Sequence, residues 1–119
     1  MLLFALALLA GQTQADLNRQ AGSDFERADA AMNATYGEAM AAMKRMDGLH
    51  AYPEARATYQ SALRAAQRAW LAFRDQECAL EGYQFRGGSA LSMAILQCEA
   101  TLTRTRTAQL KAFADSIAR

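Results

Sequence analysis

The stretch AWLAFRDQECALEGYQFRGGS, residues 69–89, decides the fold. Trp70, Phe73 and Leu80 fall at helical spacing, and Tyr59, Leu63 and Ala66 extend the same stripe upstream. Gly82 and the pair Gly87-Gly88 then bracket a turn, and Ser89 suits the N-cap of a following helix. In that helix Leu91, Ile95, Cys98, Leu102, Leu110, Phe113 and Ile117 carry the apolar stripe. A short connection makes two neighbouring helices antiparallel, so residues 69–89 are the bend of a helical hairpin.

Upstream, a third stripe runs through Leu17, Ala21, Phe25, Ala28, Met32, Tyr36, Ala39, Met43 and Met46. Its steps alternate three and four, one face of a helix over Asp16–Met46. Gly22 and Gly37 lie inside it and predict fraying or a bend, since each costs about 1 kcal/mol relative to Ala. Asp47-Gly48 marks its end, and Pro53 suits the first turn of the next helix. The predicted fold is all-α, an up-down-up three-helix bundle. Composition agrees: alanine is abundant, β-branched residues are scarce, and there is one proline in 119 residues.

The first ten residues, MLLFALALLA, form an apolar run too short to span a bilayer, which needs about twenty. The run fits the apolar part of a signal peptide, although no Lys or Arg precedes it. Residues 1–11 are therefore expected to be a leader, with cleavage as late as 15, and residues 12–119 a single helical domain. The alternative is a buried N-terminal helix segment. Export makes the chain periplasmic or secreted, where two cysteines favour a bridge. With 1.5 Å rise per residue, Cys78 and Cys98 lie about one turn apart in level across the hairpin, close enough for a disulfide between helices two and three. Two free buried thiols in a cytosolic chain are the alternative.

Three charges interrupt the apolar stripes: Asp29, Glu77 and Arg106. A charge on a buried face is costly unless paired. Folding helices one and three back on helix two brings Asp29 and Arg106 to the level of Trp70. The expected pair is Asp29–Arg106, with the guanidinium near the indole, and Glu77 is expected to pair with Arg74 or Arg27. These pairs read as register devices rather than chemistry.

Trp70-Leu71-Ala72-Phe73-Arg74-Asp75-Gln76-Glu77-Cys78, then Gly87-Gly88-Ser89, Cys98, and Thr103 to Leu110 with Arg106-Thr107 inside, resemble the lysozyme inhibitor LprI-like N-terminal domain family. Thr13-Gln14, Leu17-Asn18, Asp29 and Met32-Asn33 with Tyr36 match its upstream elements, so the resemblance covers nearly the whole chain after the leader. It marks Trp70, Arg74, Asp75 and Glu77 as family-motif residues and implies a small exported bacterial protein. Similar sequences often carry a second cysteine pair around the Thr13-Gln14 element. Here Gln20 holds one of those positions and the other falls in the leader.

The resemblance makes lysozyme inhibition the sharp expectation for function, acting by binding a partner rather than by catalysis. The alternative is a periplasmic binding or adaptor module for another envelope protein. A net charge of +1 gives no strong field toward basic lysozymes, nucleic acid or membranes, and no stable membrane insertion of the mature chain is expected. Tyr83, Phe85 and Arg86 in the bend are the candidate partner-binding loop, since Tyr and Arg dominate binding hot spots. In the alternative, Tyr83 and Phe85 pack as a cap on the core. No enzyme is predicted. The one histidine, His50, lies in a turn, and the cysteines are taken up by the bridge. No cofactor or metal is expected either: Met40, Met43 and Met46 precede His50, but Met40 and Met46 point about 120° apart on a helix.

Overall fold

The computed structural model describes residues 11–50 and 58–117. Three helices make the bundle: α1 (Gln14–Leu49), α2 (Tyr59–Gly82) and α3 (Leu91–Ile117), with a single 3-10 turn, Tyr83–Phe85, continuing α2. The expected leader lies almost entirely outside the described residues, as does the expected role of Pro53. Among the described residues no helix is long and apolar enough to cross a membrane.

Helix α1 runs unbroken through Gly22 and Gly37, so neither glycine frays it. Packing along the inner face outweighs the local cost of two glycines. That face is the predicted one: Ala21, Ala28, Met32, Ala39 and Met43 are buried, joined by Ala42. Its alanines allow close approach, and α1 packs most extensively on α3, whose buried residues are Ala100, Thr103 and Leu110. Thr13 caps α1, its hydroxyl accepting the Asp16 N–H at 3.2 Å while the Asp16 carboxylate accepts the Thr13 N–H at 3.1 Å. Met43 is a core residue, and Met40 packs against the core.

Helix α2 is capped twice. Thr58 accepts the Ser61 N–H at 3.1 Å. Asp47, near the end of α1, accepts the N–H groups of Tyr59 and Gln60. An anion at a helix N-terminus satisfies orphan donors and complements the macrodipole. Helix α3 begins at Leu91, after Ser89: the Ala90 carbonyl accepts its first intrahelical bond, from the Ala94 N–H at 3.0 Å.

The inner face of α2 differs from the predicted stripe. Leu63, Gln67, Arg74 and Cys78 are buried, whereas Ala66 is exposed and Phe73 and Leu80 stand 53% and 59% exposed. The helix is rotated so that two polar residues point inward. The bundle therefore has layers along its length. At one end is an apolar core of Met32, Met43, Leu63 and Leu110, with Tyr36, Tyr59 and Trp70 packed against it. A polar layer around Arg74 follows, then the Cys78–Cys98 disulfide, then the bend. The bridge has a Cα–Cα distance of 5.5 Å and links α2 to α3 as predicted.

Candidate partner-binding site

The site is built from the polar layer upward. Arg74, 8% exposed, reaches across the bundle and touches all three helices. Its Nη1 faces Asp29 Oδ1 on α1 at 3.5 Å and donates to Thr103 Oγ1 on α3 at 3.3 Å. Its Nε donates to Asp75 Oδ1 at 3.0 Å. The guanidinium also lies 5.1 Å from the Phe25 ring and 5.6 Å from the Trp70 ring, within cation–π range.

Asp29 and Arg106 do not pair. Arg74 takes the Asp29 carboxylate, and Arg106 Nε donates instead to Gln67 Oε1 at 3.0 Å. The level of Arg106 beside Trp70 is as expected, with the guanidinium 5.9 Å from the ring. The pairing fails because the rotation of α2 puts Arg74, rather than Phe73, between the outer helices. Glu77 is half-buried and has no ion-pair partner among the described residues. Arg74 is engaged by Asp29 and Asp75, and Arg27 pairs with Asp24 on its own helix.

Glu99 of α3 lies near the same cluster. Burial pushes its carboxyl up from the usual value; the Arg74 charge pulls it down, and Asp75 and Asp29 add to the rise. Burial pushes the Arg106 guanidinium down. Sequence reading missed Gln67 and Thr103 in the interior and gave Arg74 the wrong partner, Glu77 in place of Asp29 and Asp75. A signal existed: Cys78 must face α3, and Arg74 and Gln67 lie one turn and three turns before it on the same face.

Beyond the disulfide, α2 and α3 meet closely. A Cβ on Gly82 would lie 2.7 Å from Ile95 Cγ1 and 3.2 Å from Leu91 Cδ1, so any larger residue there forces Ile95 to shift. The 3-10 turn follows, and Gly87 takes φ +79°, a left-handed conformation that favours glycine. The Gly88 N–H donates to the Phe85 carbonyl at 3.0 Å.

This backbone holds Tyr83, Phe85 and Arg86 outward. Tyr83 is 51% exposed and Phe85 45%, so neither is a buried cap on the core. The Arg86 guanidinium stacks on the Tyr83 ring, 3.6 Å from its centroid. The tip thus presents two exposed aromatic rings and a cation stacked on one of them. Among the described residues, no three His, Cys, Asp or Glu side chains are grouped to hold a metal ion.

The family described as "Lysozyme inhibitor LprI" matches residues 8–110. A protein of Rhizobium meliloti (strain 1021), described as uncharacterized, is 45% identical over 105 residues, which is 87% of this chain and 76% of that protein. No solved structure matches the chain.

Proposed function

Because the chain belongs to the lysozyme inhibitor LprI family, we propose that it is an exported protein that inhibits a lysozyme by binding it. The contact is the bend between α2 and α3, with Tyr83 and Phe85 as apolar anchors and Arg86 directed to carboxylates in the substrate cleft. The observation that carries this reading is the exposure of all three side chains on a turn that follows the Cys78–Cys98 bridge closely in the chain. A preorganised loop loses little entropy on docking. Affinity on this reading comes from packing at the tip rather than long-range attraction, because the net charge is +1.

The test is titration of hen and bacterial lysozymes with the purified, disulfide-bonded protein. Inhibition should saturate, and Arg86→Ala should raise the inhibition constant about thirty-fold, the scale of one hot-spot residue. No inhibition at a large molar excess rejects the reading for those enzymes.

The proposal includes a leader removed before Thr13. Thr13 caps α1 through the reciprocal bonds with Asp16, and cleavage after Ala15 would delete that cap. The intact mass of protein recovered from the periplasm should correspond to a start at Gly11 or Gln12. A start at Asp16 would refute this.

A further inference from the structure

We propose that the groove beside the bend is a binding site for a neutral oligosaccharide. It is an open trough of about 350 Å³, within the size range of small-ligand sites. Glu81, Gln84 and Phe85 form one wall, and Gln97, Cys98 and Thr101 the other, with the apolar Ala94 and Leu102 beside them. The Tyr83–Arg86 stack does not line it, and Phe85 is the residue the groove shares with the proposed lysozyme contact. The inference goes beyond the lysozyme reading and does not depend on it.

The chemistry of the walls selects the ligand. A pyranose ring offers an apolar C–H face and a rim of hydroxyls. Phe85 supplies a partly exposed ring on which such a face can stack. The side chains of Gln84 and Gln97 each offer both a donor and an acceptor, and both are exposed. The exposed Glu81 carboxylate accepts from two hydroxyls at once. Thr101 Oγ1 already donates to the Gln97 carbonyl at 2.9 Å, so its lone pairs remain to accept. These are the paired donor and acceptor functions that vicinal hydroxyls require.

Charge excludes other classes. One carboxylate and no Lys or Arg line the groove, so phosphates and acidic sugars are repelled. An extended peptide is recognised through a free strand edge or a Pro-rich groove, and an amphipathic helix through a continuous apolar trough. The walls here are α-helix and a 3-10 turn with no strand edge, and Glu81, Gln84, Gln97 and Thr101, half of the eight lining residues, set polar groups on both walls, so the trough is not continuously apolar. The open shape favours a chain lying along the trough over an enclosed monosaccharide. Its walls are held together by the disulfide and by the Gly82 contact with Ile95, so little ordering is left to occur on binding.

The test is a titration of the isotope-labelled, oxidised protein followed by amide chemical shifts. The probes are two neutral trisaccharides, triacetylchitotriose and cellotriose. Saturable shifts are expected at Gln84, Phe85, Gln97 and Thr101 with at least one probe, with a dissociation constant in the millimolar range. Phe85→Ala should weaken binding about tenfold, the scale of one aromatic contact. Gln97→Ala, on an exposed helix surface, should weaken it without disturbing the fold. Phe73→Ala, an equally exposed ring away from the groove, should leave it unchanged. Absence of saturable shifts with both probes at about 20 mM overturns the proposal, as does unchanged affinity in both Phe85→Ala and Gln97→Ala. The titration contains no lysozyme, so either reading can fail alone.

Discussion

The Asp47 carboxylate accepts the Tyr59 N–H at 2.7 Å, joining the end of α1 to the start of α2. The same carboxylate accepts the Gln60 N–H at 3.2 Å and the Gln60 side-chain amide at 2.9 Å. One acidic residue therefore caps a helix other than its own. The bond fixes where α2 begins relative to α1, whatever path the intervening chain takes.

Stability should depend on this carboxylate. Burial alone would raise its pKa, but the bonds from Gln60, Tyr59 and Thr58 outweigh that and hold it below the usual value. A depressed folded pKa contributes stability that is complete above the unfolded pKa and lost as pH falls through the folded one. Asp47→Ala should lower the urea midpoint at pH 7. The gap from wild type should close as pH falls below the normal carboxylate range. A gap that persists undiminished at pH 2 would show that the charge is not what Asp47 contributes.

Arg74 should matter more than Arg106. Arg74→Met removes contacts to all three helices and leaves Asp29 and Thr103 without their partner. We expect a loss of about 2 kcal/mol in denaturant unfolding. Fully buried pairs lose 3–5, but here Asp29 and Asp75 keep part of their solvation. Arg74→Lys should recover only part, because an ammonium cannot stack flat between Phe25 and Trp70 or reach two acceptors in a plane. Arg106→Met removes one hydrogen bond, to Gln67, and should cost less than Arg74→Met. The reverse order would place the clamp elsewhere.

The hairpin should fail at two separable points. Replacing Cys78 and Cys98 together by serine opens a loop whose ends are 20 residues apart and should cost about 3 kcal/mol in the chain-entropy model. Gly82→Ala keeps the bridge but drives a methyl into Ile95 and Leu91. It should cost about 1–3 kcal/mol as overpacking. Circular dichroism melts under oxidising conditions should show both losses, with helical content retained at low temperature. A Gly82→Ala protein as stable as wild type would mean that Ile95 yields freely.

The apolar spacing of α1 shows which face is buried, because that helix packs along its length and its stripe has few competing residues. The two cysteines identify their own partner, since one pair allows one bridge, and its place across the bend follows from helical rise. The tip residues are legible as a type of surface, aromatic and cationic between glycines. Their exposure is not, because whether a ring near a core turns in or out depends on the space that the packed helices leave.

What the sequence by itself determined is three amphipathic helices, their order, the bend at residues 82–88 and the Cys78–Cys98 bridge. Helix periodicity and glycine placement are local properties, readable without knowing the neighbours. Tertiary structure alone decided the rotation of α2, by which Gln67 and Arg74 lie inside and Phe73 and Leu80 outside. It also decided that Asp29 meets Arg74 rather than Arg106. The physical reason is that a charge enters a bundle where partners on other helices compensate its desolvation. Those partners are known only once the helices are docked.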